Sequence, residues 1–435
     1  MPKRDVFGSL RKEIARIPVI DCHEHLPPEA ERLKAPVDFF TPFSHYCVGD
    51  LVAAGAPAET MTKLQAADTP VAEKWRLFAP HYAAIADGSY ARCAHRAVKR
   101  FYRMDPPASA ADAKTLSERI RAANKPGLYR KVLGDACGIV TSLNNADTKT
   151  MDLDLFTPVR GVSEWAEVLS IEKIRQVAQE AGRDVTSLAR YVQALADIME
   201  SERQRGTKGM KFGWAYCRSL DFRSVATADA ERLFNRIFED SQGRRPIALG
   251  YEESRPLQDY LTHQLVALAG DLGLTAVFHT GIHAGNENTL DNARPERLWN
   301  LFRRYPATRF DIFHIGLPWT DEAGIQAKYF ANVWVDFAWA HAISPEIAVR
   351  ALRTYVDLVP RNKVLGFGGD YLVVEKVYGH LELARDNIAR ALADKVADGA
   401  ISHDAALAWA RAILHDNPIA AYRLDIAPLD VTPSR

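Results

Sequence analysis

Short apolar runs bounded by Gly, Pro, Asn or Asp punctuate the chain, and most are followed by a longer segment with apolar residues at helical spacing. The runs fall at residues 18–22, 137–143, 156–160, 209–214, 274–278, 309–313, 332–337 and 363–368. Their length and their Val, Ile and Phe content predict eight buried strands. A helix is predicted over 187–205, where Leu188, Tyr191, Val192, Leu195, Ile198 and Met199 form one stripe. Others are predicted over 226–240, 256–270, 295–305, 345–355 and 376–396, three of them opening on a proline, which suits a first helical turn. Strand–helix alternation of this kind predicts an α/β fold, a (β/α)8 TIM barrel with parallel strands.

One interval breaks the rhythm. More than 110 residues separate the first strand from the second, whereas a whole barrel needs only about 250. The pattern inside the interval is helical at 71–78, 90–102 and 110–123, between loops rich in Pro and Gly. We therefore expect a barrel built from 1–26 and 131–435 and a helical cap insertion at 27–130. Joined to the loop after strand 1, the cap would rise over the catalytic, C-terminal face.

Composition narrows the function. The 435 residues are 47% hydrophobic and 25% charged, ordinary globular usage. Lys plus Arg and Asp plus Glu both number 55, so no global field favours nucleic acid or an anionic membrane. A small-molecule substrate is expected, with no nucleic acid and no membrane, and a homo-oligomer is allowed. The N-terminus, Met-Pro-Lys-Arg-Asp, reads as a short surface helix and not a secretory signal. The most apolar long window, 265–282, is interrupted by Gly270, Asp271, Gly273 and His279, too polar for a membrane span. Five scattered cysteines without a C-x-x-C pair suggest neither a disulfide framework nor a zinc ribbon, so a cytoplasmic protein is expected.

The chemistry gathers at strand ends. A His-x-His pair arises by chance about 0.4 times in a chain with this many histidines, so His23-Glu24-His25 means little alone. Its place does the selecting, because it follows Val19-Ile20-Asp21 directly, and alternation would turn Asp21, His23 and His25 to one side, toward the barrel axis. His279, His314 and Asp370 end the fifth, sixth and eighth strands in the same way. His279 shares parity with Val277 and Thr275, His314 with Ile312, and Asp370 with Gly366 and Gly368, small residues that would leave room for an ion and substrate. Neutral imidazoles with a carboxylate suit a zinc-type catalytic ion.

These residues, in this order, resemble the amidohydrolase superfamily. The likeness rests on Asp21-Cys-His-Glu-His-Leu, His279, His314, Gly368-Gly-Asp370 and the closing Ile413-Leu-His-Asp-Asn-Pro-Ile-Ala-Ala-Tyr-Arg-Leu. It is strongest to amidohydrolase family 2, with a fainter likeness to uronate isomerases in His-x-His-Leu-x-Pro and Phe278-His-Thr-Gly. It covers 17–28 and about 205–425, and the cap carries none of it. The resemblance implies that His23, His25, His279 and Asp370 surround a divalent metal, Zn or another ion such as Mn, and that Asp370 moves a proton to or from water. It implies that His314 is an acid/base group or a further ligand. Lys211 points into the lumen by parity with Gly209 and Gly213. Some superfamily members carry a carboxylated lysine there that bridges two metals; a free lysine touching a carboxylate or sugar oxygen is the other reading. Trp214 lies just past strand 4 as a candidate substrate contact, and the run Ala215-Tyr216-Cys-Arg218 resembles an element that faces substrate in some relatives, with Arg218 as an anion or hydroxyl clamp; His283, in the Gly-rich loop after His279, is read equally as a pocket contact or a solvated loop residue.

Bland roles are expected elsewhere: His45, His81 and His95 as ordinary cap residues, Asp336 in a structural hydrogen bond, Trp339 in packing, Glu24 behind the ligands, Tyr371 and Glu375 at the rim. No nucleophile elbow, phosphate loop, dinucleotide fingerprint or H-E-x-x-H occurs. The leading expectation is a hydrolase cleaving a C–N or C–O bond of a small polar amide, lactone or ester by metal-activated water. The alternative is a lyase or isomerase of the same superfamily, a decarboxylase or uronate-isomerase type. Related decarboxylases often carry Glu in place of the first His, and uronate isomerases end strand 8 with a Thr-Asp-Ser-Arg-like element. His23 and Gly369-Asp-Tyr-Leu depart from both. A non-catalytic metal-binding barrel is the third class.

Overall fold

The computed structural model describes residues 3–146, 148–239 and 248–429. Eight parallel strands follow one another in the order β1 to β8: Val19–Glu24, Ile139–Asn144, Phe156–Gly161, Gly209–Phe212, Thr275–Phe278, Arg309–Ile312, Val333–Asp336 and Val364–Leu365. Every apolar run of the sequence supplies one. Closure comes just past β8, where the Cys22 amide donates to the Phe367 carbonyl at 2.9 Å and the Asp370 amide to the His23 carbonyl at 2.8 Å. The fold is the expected (β/α)8 barrel.

Helices sit close to their predicted spans, as Leu188–Gln204, Arg255–Asp271, Pro345–Leu358 and Val374–Ala397. The helix expected over 226–240 is Thr227–Glu239, and Asp240 lies outside the described residues. So do Met1, Pro2 and 430–435 of the barrel expectation. The segment 295–305 divides into a tight turn, Pro295–Leu298, and a helix, Trp299–Arg304. The N-terminal helix Lys3–Ile14 is not merely a surface helix: Val6, Leu10 and Ile14 are buried. Among the described residues no helix is long and apolar enough to cross a membrane.

Three apolar clusters organise the chain: one between the strands and the surrounding helices, one in the lumen and one in the cap. Ile20, Cys22, Leu143, Val159, Val277, Phe313, Trp334 and Leu365 fill the barrel, closed from below by Ile419, Ala421 and Tyr422 of the C-terminal segment. Residues between β1 and β2 form six helices, from Glu29–Lys34 to Ala110–Ala123, around a separate cluster that includes Phe39, Phe40, Phe43, Phe78 and Tyr82. The chain leaves for this cap from β1 but is fastened to the helix after β8. Arg32 pairs with Glu375 at 2.8 Å, Tyr102 Oη donates to the same carboxylate at 2.6 Å, and Lys376 Nζ donates to the His45 carbonyl at 2.6 Å. Barrel closure makes this connection short, because β1 and β8 are neighbours.

Alternation fails where it matters most. Ile312 packs outward and Phe313 fills the lumen, so His314 does not share the face of Ile312. It turns inward because His314 and Ile315 take left-handed backbone angles, φ 61° and 47°. On β1 the register shifts between Asp21 and Glu24. Asp21 therefore does not join His23 and His25; it accepts from Ser142 Oγ at 2.8 Å and from the Gly369 amide at 3.0 Å. Gly366 and Gly368 leave no room for an ion either. A Cβ on Gly366 would meet Ile413 Cγ1 at 2.7 Å, and one on Gly368 would meet Ala338 Cβ at 2.6 Å. They are small so that backbone can approach backbone at the barrel seam.

Candidate active site

At the C-terminal mouth lies a cavity of about 470 Å³ lined by His23, His25, Lys211, His279 and Asp370 from the barrel and His45 and Tyr46 from the cap. His23 and His25 bring their Nε2 atoms to 3.0 Å. Asp370 Oδ1 stands 3.3 Å from the first and 3.4 Å from the second. These donor atoms all lie within 4.8 Å of one another. His279 falls outside that trio. It belongs to a second pair, with its Nδ1 3.2 Å from His314 Nε2, which is itself 3.8 Å from Asp370 Oδ2.

The outer ring nitrogens decide what this second pair can be. His314 Nδ1 is 2.8 Å from the Ala338 carbonyl and His279 Nε2 is 3.0 Å from the Ile282 carbonyl. A carbonyl only accepts, so both outer nitrogens carry the hydrogen. Burial keeps the rings neutral, lowering His314 to about 4 and His279 well below the usual histidine range. Two bare lone pairs then face each other at 3.2 Å. Such a contact is repulsive unless a cation shares it, and a carboxylate stands beside it. The residues present fit a divalent ion: imidazole lone pairs and one carboxylate converge, with the outer nitrogens oriented by backbone carbonyls.

Asp370 is held from both sides. Burial pushes its carboxyl up, but the surrounding His25, His314 and Lys211 draw it down further, so it stays below the ordinary carboxylate range. Its backbone is left-handed, φ 62°, costly for a residue with a Cβ. Tyr46 Oη donates to its carbonyl at 2.6 Å, and the flanking amides of Gly369 and Tyr371 are taken by Asp21 Oδ1 at 3.0 Å and Glu24 Oε2 at 2.7 Å. Asp21 and Glu24 form a buried carboxyl pair in which burial raises both, Asp21 to about 6. Glu24 thus stands behind the ligands, fastening the segment that carries one of them.

Lys211 reaches the cavity from β4. Its Nζ has no hydrogen-bond partner and lies 3.5 Å from the Phe313 ring centroid. Burial pulls the ammonium down to about 7, against the opposing effect of Asp370, Asp311 and Asp336. Tyr216 lines the cavity, with its ring 4.6 Å from that of His279 and 4.8 Å from that of His283.

Three expectations for substrate contacts are corrected. Arg218 is no anion clamp: it is buried, and its guanidinium is committed to Asp259 at 2.5 Å and Gln258 at 2.9 Å. Trp214 is buried behind the wall, with Phe222 and Arg218 against it. Its place just past β4 puts it on the helix side of the strand. His283 contacts the Ala215 carbonyl at 2.8 Å and stacks below His279, behind the cavity surface. Tyr371 and Glu375 are buried too, Glu375 in the bolt to Arg32, and form no rim. Asp336 accepts the Ala338 amide at 2.7 Å, the structural bond expected of it.

Sequence reasoning missed His45 and Tyr46. Burial lowers His45 to about 3, leaving a neutral ring on the cavity wall. Tyr46 has φ 57° and stacks against both Tyr90 and Trp339, at 5.2 and 4.4 Å, which also contact each other at 6.1 Å. Nothing periodic marks them; an adjacent His-Tyr pair between two helical segments is the available signal. Asn145 and Ser163, also in the lining, follow β2 and β3. The strand-end rule that picked out His279 would have reached both.

Comparison with known proteins agrees with this geometry. The family model described as Amidohydrolase matches residues 191–424, just over half of the chain. Protein fluG of Emericella nidulans is 26% identical over 226 residues, 51% of this chain and 26% of that protein, so the chain spans about a quarter of this relative. A glucuronate isomerase from Caulobacter crescentus superposes with a TM-score of 0.79 at 19% identity, over 98% of this chain and 95% of its own. A uronate isomerase from Thermotoga maritima gives 0.79 at 16% identity, over 96% and 97%. A Lactobacillus casei protein assigned provisionally as a metal-dependent hydrolase gives 0.62 at 18%, over 95% and 97%. At these identities the structural likeness speaks to the fold.

Proposed function

Since the chain belongs to the amidohydrolase family, we propose that it is a metal-dependent hydrolase cleaving a C–N or C–O bond in a small amide, ester or lactone. The observation that supports this reading most is the position of Asp370, whose two oxygens face His23 and His25 on one side and His314 on the other. A group so placed can hold a cation and accept a proton. His23, His25 and Asp370 would hold the ion, with His279 and His314 adjacent; zinc suits the donor set, and manganese is compatible with it. When bound, the ion polarises a substrate oxygen and acidifies water.

The chain's own groups do the rest. Asp370 takes a proton from the attacking water, for which a carboxylate held below its ordinary range is charged and ready at neutral pH. Asp370 then returns that proton to the leaving nitrogen or oxygen as the C–N or C–O bond breaks, while His314, held in one tautomer by the Ala338 carbonyl, keeps its Nε2 3.8 Å from Asp370 Oδ2. Lys211 supplies positive charge near the reacting oxygen without a competing partner. The cap contributes His45 and Tyr46 to the cavity wall.

Isomerisation is the second reading. The superposition on two uronate isomerases runs over nearly the whole chain, cap included. Turnover in ¹⁸O-water separates the two. A hydrolase puts solvent oxygen into a carboxylate of its product; conversion of D-glucuronate with no label in a carboxylate would replace our reading with the isomerase one. Purified protein lacking a bound divalent ion, and indifferent to chelator and added metal, would overturn both.

A further inference from the structure

On the hydrolytic reading of this site, we infer that the acyl substrate carries an apolar group, aryl or branched alkyl, and is not a polyhydroxylated chain. The cavity has two unlike parts. Its floor holds the imidazoles, Asp370 and Lys211. Its upper wall is built from Tyr46, Val162, Tyr216, Ala284 and Leu372, with Tyr216 and Leu372 leaving 44% and 49% of their surface exposed at the mouth. Large apolar side chains presented together beside a polar floor mark a surface that a ligand covers.

The cations tell the same story. Lys211 is the one Lys or Arg in the described lining, and it lies on the floor beside the reacting groups. Arg218, the nearest candidate for gripping a remote carboxylate, is sealed by Asp259. A sugar acid would bring one charge and several hydroxyls into the upper cavity, and each hydroxyl lost from water without a partner weakens binding. Ser163 Oγ already accepts from the Gly213 amide at 2.7 Å and Tyr216 Oη from the Ala284 amide at 3.1 Å, which leaves each a single O–H to offer. Asn145, His45 and Glu164 complete the polar lining, and Glu164 is turned to Lys173 at 3.6 Å.

Gly213 shows where the apolar group goes. A Cβ built there meets nothing within 4 Å, and its φ of −95° suits any residue. The gap is therefore not demanded by the fold; a side chain would project into the cavity.

The test uses metal-loaded enzyme and substrates matched in their reacting bond: benzoyl and phenylacetyl amides and esters against aldonamides and aldonolactones, all in ¹⁸O-water. We expect kcat/KM at least tenfold higher for the aryl members. Gly213→Val and Leu372→Ser should each cut that preference about tenfold while metal content and thermal unfolding stay unchanged. Solvent label entering the carboxylates of polyhydroxylated products only would overturn the inference and leave the hydrolase standing; conversion of D-glucuronate with no label in a carboxylate would remove both. Binding gives an independent readout. Phenylacetate, and not D-gluconate, should raise the melting temperature; protection by gluconate, or by neither, overturns the inference.

Discussion

The barrel and the cap both reach the cavity, but they get there differently. Reacting groups of the barrel arrive one or two at a time from separate strand ends, His23 and His25 from β1, Lys211 from β4, His279 from β5, His314 from β6 and Asp370 from beyond β8. The cap sends His45 and Tyr46 from a single turn, held by Lys376 and by the Asp370 backbone itself. Barrel positions are set by hydrogen-bonded register, which is stiff and local to each strand. The cap's are set by a few long-range bonds. The first arrangement suits chemistry, and the second suits substrate choice, because a cap can be rebuilt without moving the strands.

Breaking each side in turn should give very different losses. The largest belongs to the barrel: Asp370→Asn should lower kcat by roughly 10³-fold, within the range for a general base, with an unchanged melting temperature. Retained activity in steady-state assays would take Asp370 out of the proton transfer. His23→Ala should in addition empty the site, which elemental analysis would show as loss of bound metal.

The next loss belongs to the fastening. Arg32 and Glu375 are both buried, and Arg32→Met leaves a carboxylate sharing only Tyr102. Removing one partner of a buried pair costs about 3–5 kcal/mol, measurable by urea unfolding. The double variant with Glu375→Met should recover most of it; no recovery would mean the pair is not what holds the cap.

Tyr46→Phe is gentler. It keeps the ring stacked against Tyr90 and Trp339 but deletes the bond to the Asp370 carbonyl. We expect about 1 kcal/mol of stability lost, with kcat falling more than KM changes. A change in KM alone would place Tyr46 in substrate binding only.

The smallest effect is a slope. Burial raises Asp311 from 3.8 to about 7, beside Asp336 and under Tyr422 Oη. The folded chain then holds a proton that the unfolded chain releases near pH 4. This contribution is complete below pH 4 and is lost as pH rises toward 7. In Asp311→Asn the decline of stability between those values should flatten, and an unchanged slope in pH-dependent melting would refute the shift.

The same contrast explains what could be read in advance. All eight strands were legible because buried parallel strands must be apolar runs, and the strand-end rule located His23, His25, His279, His314 and Asp370. Parity beyond the last ladder bond was not legible. His314 enters the lumen through a left-handed kink, and Asp21 turns to Gly369 across a register shift. Gly366 and Gly368 were expected to make space for an ion and instead let the seam close, while the open position proved to be Gly213. Arg218 looked like a clamp because nothing in its neighbourhood along the chain reveals Asp259, forty-one residues away.

By itself, then, the sequence determined the barrel, its strand order and the residue types that meet at its mouth, since apolar period and hydrogen-bonded register are local properties repeated along the chain. Only the tertiary structure decided which oxygens and ring nitrogens face one another, that His45 and Tyr46 complete the cavity, and that Arg218 is withdrawn from it. Those facts depend on contacts between segments well separated along the chain, from Arg218 with Asp259, 41 residues apart, to Tyr46 with Asp370, 324 apart, where the closed fold, and not any local preference, brings the partners together.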